Sequence, residues 1–212
     1  MSKKVPNKII IATIIAYNAE ETIEDTINEI PVDWVDSIVV SDDCSSDNTY
    51  QIIKDIPNIE VIKNEKNMKM GGNQKIVYDF ALSHHADIII LLHGDNQYDP
   101  SKIPQIVQPI IDGKADAVLG SRILGGKIFE GGMPMYKYLG NHLLNFIQNT
   151  IYRLQLSDYA TGYKAYSNKL LTTIPYHLNR DDFVFDEQIN TQIVYYKFRF
   201  AQIGIPTRYF KG

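Results

Sequence analysis

The sequence predicts a doubly wound α/β domain built on a mostly parallel central sheet. Three observations point there. Short runs rich in Ile and Val alternate with amphipathic stretches through the first 120 residues. The runs are apolar throughout rather than alternating, as strands covered on both faces require. Each run also ends in polar or glycine residues, and ligands bind such sheets outside the carboxyl ends of the strands.

The apolar runs place strands at 8–16, 37–41, 59–63, 87–93 and 115–119. The first follows Lys3, Lys4 and Lys8 and loosely resembles a signal peptide. It is short, however, and Tyr17-Asn18-Ala19-Glu20-Glu21 follows in place of a small-residue cleavage site, so a buried strand is the better reading. Helical patterns fall at 20–30, 48–55, 73–83 and 104–112, with Ser101 as a helix start. Beyond them, 124–134 is glycine-rich and reads as a loop. A long helix is expected over 134–156, a short polar segment over 158–166, a further helix over 183–196 and a last strand over 198–205. No repeat or interdomain linker is evident. The whole chain, 1–212, is expected to form one domain, with strand–helix alternation in a half up to residue 122 and a different pattern in the half from 123 to 212.

The 212 residues are 44% hydrophobic, enough to bury a core without staples. The net charge of −4 argues against nucleic acid as a partner. The one cysteine, Cys44, excludes a disulfide framework or a thiolate zinc cluster, which suits the cytoplasm. Cys44 follows two aspartates and reads as a small space-filler. No apolar stretch approaches the roughly 20 residues that span a bilayer. The run Ile205-Pro206-Thr207-Arg208-Tyr209-Phe210 looks internal, leaving room for a membrane segment beyond Gly212.

Five strand-end groups can carry chemistry. Asp42-Asp43 heads a Ser/Asp-rich turn, and a paired carboxylate there can accept from a base N–H and from ribose hydroxyls. Asp47 reads simply as a helix cap. His93-Gly94-Asp95-Asn96-Gln97-Tyr98-Asp99-Pro100 offers oxygen ligands for a hard cation bridging a pyrophosphate, Mg2+ or Mn2+, or else is an Asn/Asp turn closed by proline. Arg122, in Gly120-Ser121-Arg122, can fork onto phosphate oxygens or be a plain surface arginine. The stretch Asn67 through Lys75, with Gly71-Gly72, resembles a phosphate cradle but lacks the lysine spacing of a P-loop, and no G-x-G-x-x-G occurs. Asp158, ahead of Thr161-Gly162-Tyr163-Lys164, can face a sugar or an acceptor, or cap a loop. His84, His85, His142 and His177 are scattered and read as structural or surface residues.

These pieces, with Ala16-Tyr17-Asn18-Ala19-Glu20, resemble the family 2 glycosyltransferases. The branch they are similar to contains the dolichyl-phosphate mannose and glucose synthases. The likeness covers nearly the whole chain. It implies a GT-A fold, inversion at the anomeric carbon and a nucleotide-sugar donor, UDP- or GDP-linked. It also implies contacts to the donor at Ala16, Tyr17, Asn18, Glu20, Gly71, Gly72, Lys75 and Gly94. Asp42 and Asp43 match the acidic pair near base and ribose. Asp95 matches the second aspartate of a D-x-D metal motif, and Arg122 an arginine on phosphate. Asp158 matches an acceptor-side carboxylate, and Glu187 falls where the family carries an acid on a late helix. His93 stands where the first D-x-D aspartate usually sits, although an imidazole can still ligate manganese. Ala16 stands where proline is common.

Two acceptors follow as expectations. One is a polyprenyl phosphate, reached through peripheral contact of the 134–156 helix with the inner membrane face. The other is a glycan hydroxyl, for which Asp158 would be the base. A non-catalytic nucleotide-sugar-binding scaffold is the alternative from another class. A nucleotidyltransferase is disfavoured, because no glycine-rich, basic N-terminal loop is present.

Overall fold

The computed structural model describes residues 5, 7–126, 135–206 and 208, without the side chains of 136–139. One seven-stranded sheet organises the chain. Its strands are β1 (Ile10–Ala16), β2 (Ser37–Asp42), β3 (Glu60–Lys63), β4 (Ile88–His93), β5 (Ala117–Ser121), β6 (Lys164–Ser167) and β7 (Phe200–Gly204). The order across the sheet is β3-β2-β1-β4-β6-β5-β7. All pairings are parallel except those of β6, which runs antiparallel between β4 and β5. The helices are α1 (Ile23–Asn28), α2 (Thr49–Ile53), α3 (Lys69–Ser83), α4 (Ile103–Ile111), α5 (Arg122–Gly125), α6 (Met135–Tyr152), α7 (Asn168–Thr173) and α8 (Val184–Tyr195).

The central strand β1 shows why its run is apolar throughout. Ile10, Ala12 and Ile14 pack into one core layer with Ile23, Ile27, Ile53, Ile103 and Ile106, from α1, α2 and α4. Ile11 and Ile15 face the other layer, with Val77, Tyr78, Leu170, Phe185 and Ile189, from α3, α7 and α8. Successive side chains enter opposite layers, so neither parity can be polar. The exception, Thr13, is satisfied by donating to the Ile90 carbonyl at 2.7 Å.

The expected strands and helices form, with four differences. The polar segment 158–166 runs into β6, and α7 follows it. Helix α3 begins four residues earlier than expected and takes in Gly71-Gly72. Helix α6 ends at Tyr152, where Arg153 turns to φ 56°. Residues Arg122–Gly125 form a helical turn closed by Gly126 at φ 80°, and residues 127–134 of the expected glycine-rich loop lie outside the described residues. Cys44 corrects the space-filler reading: it is exposed, at φ 61°, because it turns the chain sharply after Asp43.

Candidate active site

The chain runs from β1 to β3 on one side of the sheet and resumes at β4 on the other. The crevice at that reversal is where such sheets bind ligands. A cleft of about 430 Å3 lies there, lined by Ala16, Tyr17, Asn18, Thr22, Asp43, Asn67, Lys69, Met70, Asn73, His93, Gly94, Asp95 and Phe183 among others. Four non-glycine residues in or beside it hold positive φ: Asn18 (49°), Cys44 (61°), Lys69 (64°) and Asn96 (50°). Such backbone strain is tolerated where surrounding contacts fix it, and it gathers at ligand sites.

The two aspartates after β2 part company. Asp43 faces the cleft, and its Oδ1 accepts from Asn64 Nδ2 at 2.9 Å and from the Met68 N–H at 2.7 Å. Asp42 is fully buried beneath it, with Oδ2 accepting from the Ser45 N–H at 3.3 Å and Oδ1 unpartnered. Glu20 turns away from the cleft and accepts from the Asn48 N–H and Nδ2, both at 2.9 Å. Asp47 sits one residue before the Asn48 N-cap of α2 and accepts from the Thr49 N–H at 2.9 Å. Burial works to raise its pKa, but its hydrogen bonds prevail and hold the carboxyl below the usual aspartate value.

The phosphate-cradle reading of Gly71, Gly72 and Lys75 is corrected by their partners. Both glycine N–H groups donate to the Asp181 carbonyl, at 2.7 and 3.0 Å. Lys75 bonds the Asn179 carbonyl and Asp181 Oδ1, the latter at 2.7 Å. These residues therefore lock α3 to the 179–182 loop. A Cβ on Gly71 would stand 2.5 Å from Phe185 Cβ and 2.8 Å from the Arg180 carbonyl oxygen, so that packing demands glycine.

On β4 and the loop after it, His93, Gly94 and Asp95 line the cleft. Asp95 Oδ1 accepts from the Gln97 N–H at 3.1 Å. Tyr98 turns inward, and its hydroxyl accepts from the Gly162 N–H at 2.8 Å. A Cβ on Gly162 would lie 2.8 Å from the His93 ring, so the ring rests on bare backbone. Burial holds the imidazole below the usual histidine pKa, against the pull of Asp95 and Asp186 and with a further push from Lys164. Lys164 is itself wholly buried, in an ion pair with Asp186 at 2.7 Å.

Among the described residues no three His, Cys, Asp or Glu side chains gather as a metal cage. That suits Mg2+ or Mn2+, which take one or two carboxylates and complete their shell with phosphates and water. Asp95 is the residue that fits such an ion. His93 lines the cleft beside Asp95, and its Nε2 is buried without a hydrogen-bond partner.

Arg122 and Asp158, at the far end of β5, are joined. Arg122 Nε and Nη2 donate to the two Asp158 oxygens at 2.7 and 2.8 Å, and the Arg122 N–H adds a bond at 3.1 Å. Both residues are buried, and neither lines the cleft. Glu187, on α8, accepts from Gln148, and burial lifts its carboxyl above the usual glutamate value. Within the flagged stretch 67–75 the cleft is lined by Asn67, Lys69, Met70 and Asn73 rather than by Gly71, Gly72 or Lys75, and the reading of the sequence missed Thr22 and Phe183. Phe183, the residue before α8, is 78% exposed, and its sequence pattern does not separate it from a core aromatic.

A mostly parallel α/β sheet with a strained cleft at its reversal point defines the class of α/β domains that bind ligands at the carboxyl ends of their strands. The chain belongs to glycosyl transferase family 2, whose profile matches residues 12–174. A UDP-N-acetylglucosamine--dolichyl-phosphate N-acetylglucosaminyltransferase of Methanococcus voltae is 32% identical over 184 residues, 79% of this chain and 73% of its own length. A dolichol-phosphate mannosyltransferase of Pyrococcus furiosus is 28% identical over 129 residues, 58% of this chain and 35% of its own length. Glucosyl-3-phosphoglycerate synthase of Mycobacterium tuberculosis, solved with Mn2+, UDP and phosphoglyceric acid, superposes with a TM-score of 0.72 at 19% identity. That match covers 98% of this chain and 73% of the synthase. The fold is GT-A.

Proposed function

We propose that this chain is an inverting hexosyltransferase that moves a sugar from a nucleotide diphosphate, UDP or GDP, to a polyprenyl phosphate. The observation that carries the acceptor class is the Arg122–Asp158 contact. A hydroxyl acceptor needs a base within hydrogen-bond reach. Asp158 already accepts three bonds from Arg122 and is 1% exposed, so it is poorly placed to take a proton. A phosphate oxygen is anionic from the start and needs no base. The name of the M. voltae relative, with its dolichyl-phosphate acceptor, supports the same choice and favours UDP.

In this reading Asp43 accepts from the base or ribose, and Ala16, Tyr17 and Asn18 form the wall beside it. Gly94 and Asp95 border the diphosphate. A divalent cation held by Asp95 would neutralise charge growing on the leaving diphosphate. Arg122, buried outside the cleft lining and paired with Asp158, would act on that charge from behind the cleft wall rather than by contact, its plane set by Asp158. Asp158 is then a positioning residue.

Helix α6 supports the lipid side. Leu143, Leu144, Phe146, Ile147 and Ile151 are all exposed, at 45–69%, and recur at helical spacing. The helix carries no Asp or Glu. No helix among the described residues is long and apolar enough to cross a membrane; contact through this face of α6 would itself be peripheral.

The test is transfer of labelled sugar from UDP-GlcNAc, UDP-glucose and GDP-mannose, each offered a polyprenyl phosphate and a disaccharide. Label entering the lipid extract from one donor is expected. Label on the disaccharide alone would overturn the acceptor class, and tight donor binding with no transfer would favour a scaffold.

A further inference from the structure

The segment between α6 and β6 carries Asp158, yet residues 154–160 belong to no helix or strand. Buried backbone polar groups must still find partners. Here several find them on one face of α6, while the Ser157 N–H donates to Gln202 Oε1 on β7 at 2.8 Å. Asn145 Nδ2 donates to the Ser157 carbonyl, and the Tyr159 N–H donates to Asn145 Oδ1 at 3.3 Å. One turn on, Asn149 Nδ2 donates to the Leu156 carbonyl and Asn149 Oδ1 accepts from the Leu156 N–H, both at 2.8 Å. Asn149 Oδ1 also accepts from the Tyr159 hydroxyl at 2.9 Å.

Residues four apart share a helix face. A primary amide offers both a donor and an acceptor, so each asparagine does what a neighbouring strand would do. Their grip falls on residues 156, 157 and 159, on both sides of Asp158. Asp158 in turn fixes three Arg122 groups, and Arg122 Nη2 reaches the Ala160 carbonyl at 3.0 Å.

We infer that Asn145 and Asn149 are positioning residues for Arg122, acting through the 156–160 segment and Asp158. This rests on the proposed role of Arg122 acting on the leaving diphosphate from behind the cleft wall.

The experiment compares Asn145→Ala with the unaltered protein, reading three quantities. The first is the hydrogen-exchange rate of the Arg122 Nε–H in 15N-labelled protein. The others are UDP affinity and transfer kinetics. Arg122 Nε–H exchange is expected to quicken about tenfold or more as local opening becomes easier. The value of kcat should fall about tenfold while UDP affinity changes less than about twofold, because only transition-state charge loses its partner. Thr150→Ala, on the same helix with its hydroxyl bonded to the Phe146 carbonyl, should change none of these. If Asn145→Ala does not fold, Asn149→Ala carries the same test from the next turn. Unchanged Arg122 exchange in a folded variant overturns the inference, as does an equal change in Thr150→Ala. Should the unaltered protein transfer no sugar, the function proposed above fails, while the exchange measurement still decides this inference.

Discussion

Arg122 and Asp158 were separate candidates in the sequence, one for phosphate and one for acceptor, and in the fold they are a bidentate pair. Their separation of 36 residues hides the contact, because neither has a partner at helical or strand spacing. The pair also changes what substitution should do. Removing one member of a buried pair leaves a stranded charge, at a cost of about 3–5 kcal/mol. Asp158→Asn should therefore lower unfolding free energy by about that range in urea titration. It should also abolish turnover while UDP still binds, since Asp158 is outside the cleft. Loss of UDP binding in a variant of unchanged stability would contradict that assignment. Gly71-Gly72 teaches the opposite lesson. Glycines at a helix start read as a phosphate loop, yet here they serve close packing against Phe185 and the Asp181 carbonyl, a contact made across more than 100 residues.

At the scale of elements, the long apolar runs could be read because both faces of each strand are covered. Strand β6 could not. It has four residues, Lys164-Ala165-Tyr166-Ser167, and opens on a lysine that only Asp186 of α8 makes tolerable in the core. Helix α3 was read short because two glycines weaken helix propensity, and the 179–182 loop that compensates is distant in sequence. The edge strand β7 is held partly by Arg199, whose Nε donates to Asp116 Oδ2 at 3.0 Å at the head of β5. Burial works to raise the Asp116 pKa, but the Arg199 hydrogen bonds prevail and keep its carboxyl below the usual aspartate value. A depressed carboxyl stabilises the fold above its unfolded pKa of about 3.9, and that contribution fades as pH falls through the folded value. Asp116→Asn should thus be less stable than the unaltered protein at pH 7, and the two should converge below about pH 3.9 in thermal unfolding. The solvent-exposed Arg199 side chain keeps the effect modest. A constant difference across the pH range would rule out that role for the pair.

For the whole molecule, the acidic balance and the cleft at the sheet reversal agree with a small anionic ligand held locally rather than with a polyanion. The apolar outer face of α6 predicts that the protein floats with anionic liposomes. Leu143→Glu combined with Phe146→Glu should abolish flotation and leave UDP binding intact; flotation that survives the double substitution would move the contact elsewhere. The central claim, a nucleotide-diphosphate site with a cation at Asp95, is tested most directly by calorimetric titration with UDP and GDP, each with and without Mn2+. The account predicts that one of the two nucleotides binds, that binding strengthens with Mn2+, and that Asp95→Asn removes the Mn2+ effect. A folded protein that binds neither nucleotide, or binds one with no change on adding Mn2+, would contradict it.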